Sequence, residues 1–175
     1  MKWDKYRYHY IVELIKKYNF KTVVEIGTAA GETASFILKS IKDKDFKLYC
    51  VDPYVSYKDY EDDGTHKIVK QCRENAYKTV FTDTRATHIE EFSSQASKGF
   101  GAKSIDMVFI DGNHAYEYVL QDISLWHPKV KKRGIVSGHD FGGGWHGVKK
   151  AVKKYYKNRF NEIQTGQDRF WWIVK

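Results

Sequence analysis

Apolar residues recur in two periods along the chain, and the alternation between them outlines its elements. Ile11, Leu14, Ile15 and Tyr18 repeat at helical spacing near the start, whereas Lys21–Ile26 reads as a strand. Glu32–Ile41 follows as a helix, with Phe36, Ile37 and Ile41 on its apolar side, and Phe46–Val51 as a second strand ending at Asp52-Pro53. After the polar run PYVSYKDYEDDGTH, the pattern predicts a helix over 67–76, a strand over Lys78–Thr82 and a helix across Ile89–Ala96. Ile105–Ile110, IDMVFI, is apolar almost throughout, as expected of a parallel strand buried on both faces. A helix from Ala115 to about Trp126, a strand over Gly134–Ser137 and a helix carrying Val148, Ala151, Val152, Tyr155 and Tyr156 come next. The end of the chain, with strands near Glu162–Thr165 and Arg169–Val174, reads as a hairpin around Gly166-Gln167.

Strands alternating with helices predict a doubly wound, Rossmann-like α/β sandwich. Its sheet has seven mostly parallel strands and a C-terminal antiparallel hairpin. No Pro-, Ser- or Gly-rich linker divides the 175 residues, so the expectation is one domain over 1–175, with residues 1–20 packing a helix on the core.

Ligands of such sheets bind beyond the carboxyl ends of the strands. The first predicted strand ends in Gly27-Thr28-Ala29-Ala30-Gly31, the second in Asp52, and the third in Thr82-Asp83-Thr84. The fourth ends in Asp111-Gly112-Asn113-His114 and the fifth in Gly138-His139-Asp140. A single Asp at a strand end starts a turn or caps a helix, but turn-forming or acidic residues at every end indicate a site. Asp52 stands 21 residues after Gly31, the separation at which a carboxylate accepts the hydroxyls of a ribose. The loop lacks the third glycine of a dinucleotide fingerprint and the Lys-Ser/Thr of a phosphate loop. Glu25, just before it, suits a ligand end with positive charge, an amino group or a sulfonium.

VEIGTAAGETASFI with YCVDPY downstream resembles the glycine motif and second-strand acid of class I S-adenosylmethionine-dependent methyltransferases. VFIDGNHAYEYVLQDISLWHPKVKKRGIVSGHDF is similar to the fourth- and fifth-strand region of their small-molecule O-methyltransferase branch, of the catechol and the macrocin or sugar type. The resemblance implies S-adenosyl-L-methionine as cofactor. It places Glu25, Gly27, Thr28 and Gly31 around the methionine part, Asp52 on the ribose, Thr82, Asp83 and Thr84 near the adenine, and Asp111 beside the sulfonium. It further implies a divalent metal, Mg2+ or another, at Asp111, His139 and Asp140. The branch usually has an acidic pair where His139-Asp140 stands, so a metal that accepts imidazole, or acid–base work by His139 without a metal, stays open. His114, three residues after Asp111, is a candidate general base; Asn113 and His114 starting the next helix is the plainer reading.

Two loops are candidates for the acceptor. One is 54–66, with Tyr54, Tyr57, Tyr60, Glu61, Asp62 and Asp63. The other is Gly142-Gly143-Gly144-Trp145-His146, read as a lid in which Trp145 and His146 face the substrate.

Charge and cysteine usage change the picture little. The net charge of +8 includes a dense run, Lys149, Lys150, Lys153, Lys154 and Lys157, read first as a solvated helix face and second as a footprint for a polyanionic substrate or nucleic acid. IDGNH, where an Asn/Asp-Pro-Pro-Tyr motif would mark base methylation, points away from nucleic acid. Cys50 and Cys72 form no disulfide framework, and the first residues make neither a leader nor a membrane span. The resulting expectation is a cytoplasmic O-methyltransferase of a small hydroxylated acceptor, a homodimer being one way to close its pocket. The alternatives are methylation of RNA, cap or protein, and a non-catalytic binding module.

Overall fold

The computed structural model describes residues 4–55 and 66–175. Seven strands form one sheet: β1 (Thr22–Ile26), β2 (Lys47–Val51), β3 (Ala86–Ile89), β4 (Ile105–Ile110), β5 (Val130–Gly138), β6 (Gln164–Thr165) and β7 (Trp171–Val174). Their order is β3-β2-β1-β4-β5-β7-β6. β1 pairs in parallel with both β2 and β4, so the strand order reverses there and opens a crevice at their carboxyl ends. β7 runs antiparallel to β5 and β6, which makes the closing hairpin the antiparallel edge expected from the sequence.

IDMVFI coincides with β4, and its side chains divide between two cores because successive residues face opposite sides of a sheet. Met107 and Phe109 join Val23, Leu48 and Cys50 beneath α1 (Arg7–Tyr18) and α2 (Glu32–Ser40). Val108 and Ile110 join Val24, Ile26 and Val136 beneath α5 (Tyr116–Trp126) and α6 (His146–Tyr155). α1 supplies Ile11, Val12, Leu14 and Ile15 to the first core. No helix of the described residues is long and apolar enough to cross a membrane.

The third strand departs from its expected place. Lys78 and Thr79 end α3 (His66–Thr79), and the backbone N–H groups of Val80 and Phe81 both donate to Ala76 O. The β-favouring run Thr-Val-Phe-Thr loses to an amphipathic helix that buries Val80 under Gly31, where a Cβ would lie 2.5 Å from Val80 Cγ2. A turn follows, held by Asp83, whose carboxylate takes the Arg85 guanidinium at 2.6 Å, while Arg85 also donates to Leu38 O in the last turn of α2 and to Ile41 O just after it. Thr82, Asp83 and Thr84 therefore precede β3 and lie at the amino edge of the sheet, opposite the crevice. What emerges at the crevice is Glu90-Glu91-Phe92-Ser93. The helix expected across Ile89–Ala96 shrinks accordingly to α4 (Ser93–Ala96).

Candidate functional site

Gly27 and Gly31 are both held at positive φ, +85° and +81°, for packing reasons that can be named. At Gly27 a Cβ would fall 2.2 Å from the Asp111 carbonyl oxygen, so the turn after β1 lies directly against the end of β4. Asp52 fixes the same loop, accepting the N–H of Ala29 at 2.8 Å and that of Tyr54 at 2.9 Å. Tyr54 closes the arrangement by donating its hydroxyl to Ala29 O at 2.8 Å. Tyr54 thus stands beside the glycine loop, Asp52 and the ring of His88, and forms no ring contact with His114 or His139 among the described residues. Tyr57, Tyr60, Glu61, Asp62 and Asp63 lie outside the described residues.

Beyond this loop opens a cavity of about 570 Å³, within the size range of small-molecule sites. Gly27, Asp52, Tyr54, Phe92, Ser93 and Asn113 are among its lining residues, so the ends of β1, β2, β3 and β4 all meet there. Phe92 and Ser93 carry no signal in the sequence, because the β-favouring run KTVFT masks the strand at Ala86–Ile89 that delivers them. Asp122 on α5 also lines the cavity; burial lifts its carboxyl to about 7, although Ser93 hydrogen-bonds it. Asn113 accepts the Ala115 N–H at 2.8 Å in a turn that precedes α5; the cap position of that helix is Ala115, not Asn113.

Glu25 lies at the other end of the loop, 2% exposed, and its Oε2 has no hydrogen-bond partner; Thr28 Oγ1 is likewise buried without one. Burial, reinforced by the negative charge of Asp111, raises the Glu25 carboxyl to about 8.

The ends of β4 and β5 bring four of the expected side chains together. His139 Nδ1 lies 3.0 Å from Asp140 Oδ2 and 3.5 Å from Asp111 Oδ1. His114 Nε2 lies 3.0 Å from Asp140 Oδ2 and 3.7 Å from Asp111 Oδ1. Burial opposes charge on both imidazoles, but the two carboxylates outweigh it and hold each histidine at about 10. In return, burial of Asp111 is overcome by the histidines, which bring it to about 2, and Asp140 falls further. Asp111, His139 and Asp140 each offer a ligand atom within 4.8 Å of the others.

Trp145 stacks on His114 with ring centroids 4.4 Å apart. The three glycines before it form a tight turn, in which Gly142 bridges to Trp145 and Gly143 lies against the Arg169 guanidinium. His146 is exposed at the start of α6 and forms no ion pair with the four clustered residues. Lys149, Lys150 and Lys153 lie over the rings of Phe141, Tyr116 and Phe160, which uses their stems as packing.

Three further residues of the site come from the two ends of the chain. Asp168 Oδ1 lies 3.5 Å from His139 Nε2, and Arg169 reaches Asp140 Oδ1 at 3.2 Å. Arg7, in the first turn of α1, places its guanidinium between Asp111, at 3.4 Å, and Asp168, at 3.5 Å. Three backbone bonds clasp these segments: Arg7 N–H to Asp168 Oδ2, Lys5 N–H to Gln167 Oε1, and Gln167 N–H to Tyr10 Oη. Asp140, Asp168 and Arg169 all adopt positive φ, between 52° and 55°, a conformation rare outside glycine and concentrated at functional positions. Nothing in the sequence pattern marks Arg7, Asp168 or Arg169 for this place.

Comparison with known proteins places this geometry. The uncharacterized protein R132 of Acanthamoeba polyphaga mimivirus is 27% identical over 124 residues, 69% of this chain and 51% of its own length. The chain thus spans about half the length of that curated relative. The O-methyltransferase NovP is 18% identical, with 96% of this chain and 77% of that one aligned at a TM-score of 0.64. An O-methyltransferase of Bacillus cereus, solved in complex with SAH, is 10% identical, with 96% and 80% aligned at 0.65. At these identities the shared property is the fold. Residues 24–141, which hold the glycine loop, Asp52, Asp111, His114, His139 and Asp140, match the family model described as a methyltransferase domain, and the chain belongs to that family.

Proposed function

We propose that residues 1–175 act as one methyltransferase domain that binds S-adenosyl-L-methionine and transfers its methyl group to a hydroxyl of a small phenolic or sugar acceptor. The observation that carries this reading is the cavity's position: Asp52 stands at its nucleoside end, and Glu25 and Asp111 stand beyond Gly27. Asp52, already anchored by two backbone donors, turns its remaining lone pairs to ribose hydroxyls. Adenine lies toward Phe92 and Ser93, in place of Thr82, Asp83 and Thr84. Glu25 meets the ammonium group, and Asp111 stands beside the sulfonium.

Asp111, His139 and Asp140 fit a divalent ion, since two carboxylates and an imidazole can reach one point. This mixed donor set suits Mn2+ or Zn2+ better than Mg2+. Such an ion, when bound, lowers the pKa of the acceptor hydroxyl and orients it.

His114 is the proposed base. In the free protein it carries a proton held by Asp111 and Asp140. An ion held by Asp111, His139 and Asp140 would draw on the two carboxylates that hold this proton, and His114 would then be nearer the neutral form that accepts one. Trp145, stacked on His114, keeps the ring in place and covers the acceptor. Methyl transfer is an in-line displacement, so alignment of oxygen, methyl and sulfur supplies much of the rate.

Calorimetry with S-adenosylhomocysteine, with EDTA and then with Mn2+ or Mg2+, tests the reading. Binding saturating in the micromolar range is expected; the absence of heat at millimolar ligand would refute the cofactor assignment.

A further inference from the structure

The two ring nitrogens of His139 face different carboxylates. Nδ1 lies 3.0 Å from Asp140 Oδ2 and 3.5 Å from Asp111 Oδ1, so it is the nitrogen on the side of the candidate ion. Nε2 is buried, makes no hydrogen bond, and has Asp168 Oδ1 at 3.5 Å. A neutral imidazole carries one proton, and the group that one nitrogen bonds decides the state of the other. Only the bare nitrogen can bind an ion, so Nδ1 serves the cluster when the proton stays on Nε2.

Asp168 is placed to keep it there. It lies in the turn between β6 and β7, buried, at a φ of 53°. Asp reaches that conformation more readily than most residues, but such strain persists only where the surroundings hold it. Arg7 supplies the hold: its backbone N–H donates to Asp168 Oδ2 at 3.0 Å, and its guanidinium stands 3.5 Å from the same oxygen. Oδ2 is thereby engaged, and Oδ1 is left toward His139. The gap of 3.5 Å exceeds a charge-assisted bond by about 0.7 Å, which a slight turn of the imidazole closes.

We infer that Asp168 is a positioning residue, which accepts the Nε2 proton of His139 in a hydrogen bond and so presents Nδ1, beside Asp111 and Asp140, as a ligand atom for a divalent ion. This rests on the metal reading proposed above. A carboxylate behind a ligating imidazole fixes its tautomer and orientation and raises its basicity. Asp168 lies outside residues 24–141, so the closing hairpin contributes it rather than the part of the chain that matches the family.

Asp168→Asn separates this role from the hold on Arg7. The Arg7 N–H needs an oxygen at the Oδ2 position, so the amide nitrogen takes the place of Oδ1 and offers Nε2 a donor. The imidazole proton then sits on Nδ1 and blocks the ligand position. Mn2+ affinity, read from the electron-spin resonance of the free ion, should fall by about 10- to 100-fold, with the urea unfolding midpoint unchanged. Asp168→Ala loses the bond to Arg7 as well and should be less stable, yet should bind Mn2+ no more weakly than Asp168→Asn. In a His139→Asn background, with no ring to orient, Asp168→Asn should change Mn2+ affinity by less than about twofold. Long-range nitrogen–proton NMR spectra of the Zn2+-loaded wild type should show His139 protonated at Nε2 and bare at Nδ1. The reverse tautomer would overturn the inference, as would undiminished Mn2+ affinity in Asp168→Asn or an equal loss in both backgrounds. Mn2+ bound more weakly by Asp168→Ala than by Asp168→Asn would make Asp168 a structural clasp only. Wild-type protein that binds neither Mn2+ nor Zn2+ at millimolar concentration would fail the metal reading itself, and the inference with it.

Discussion

Glu25 offers a measurement in which the structure sets both sign and size. Its carboxyl is held at about 8 in the free protein, because burial disfavours the charge and Asp111 adds to the penalty. At pH 7 about nine in ten molecules therefore carry a proton on Glu25. An ammonium group bound against it requires the carboxylate, so binding must expel that proton. The expected release at pH 7 is about 0.9 proton per ligand, and the cost of ionisation is about 1.4 kcal/mol, close to tenfold in affinity. Affinity for S-adenosylhomocysteine should rise about tenfold per pH unit up to about 8 and then flatten, because release favours binding as protons become scarce. Calorimetry at pH 7 in buffers of different ionisation enthalpy reads the release directly. Glu25→Gln should abolish the buffer dependence and should bind most weakly, relative to the wild type, at the alkaline end. Binding heats identical in all buffers for the wild type would refute the assignment of the ammonium to Glu25.

Other residues give sharper single outcomes. His114→Ala should lower turnover by at least about 100-fold while leaving S-adenosylhomocysteine affinity within twofold; unchanged turnover in a methyl-transfer assay removes it as the base. Asp52→Ala should weaken the same ligand by about 10- to 100-fold, since ribose hydroxyls and the N–H groups of Ala29 and Tyr54 lose their acceptor. Gly31→Ala should cost about 1–3 kcal/mol in urea unfolding, because φ is +81° and the new methyl would meet Val80 at 2.5 Å. Asp122 is held at about 7 when folded and titrates near 3.9 when unfolded, so its burial costs stability progressively as pH rises from about 4 to 7. Asp122→Asn should remove that cost, with an advantage absent at pH 4 and growing to as much as about 4 kcal/mol at pH 8. A pH-independent difference in unfolding free energy would contradict the buried titration.

How far the sequence could be read depended on how local each signal was. IDMVFI became β4 residue for residue because a strand buried on both faces needs no partner to be recognised. VEIG and Asp52 were legible for a related reason: strand, turn and acid follow one another in sequence. KTVFT misled because its β propensity competes with a helix that is amphipathic over fourteen residues. That competition is why Thr82, Asp83 and Thr84 are expected at the carboxyl edge of the sheet, where Phe92 and Ser93 stand instead. The stacking of Trp145 on His114 is set by the tight glycine turn, which no sequence period announces. Arg7, Asp168 and Arg169 carried no periodic or motif signal for their place in the site. Arg7 and Asp168 lie 161 residues apart and meet only because the closing hairpin returns antiparallel along β5.

The clasp between the first helix and that hairpin bears on how the protein opens. It consists of a few partly exposed polar bonds and the stacking of Tyr10 on Phe170, whereas the sheet beneath is held by many fully buried side chains. Units of this kind come apart at a free energy well below that of global unfolding. Amide exchange in Arg7–Tyr10 and in residues 166–169 should therefore be faster than in β4 and should slow together when ligand binds. The entry of a ligand and the opening of this clasp would then be one event, so that changes in the clasp tune the rate of exchange with solvent without touching the cores.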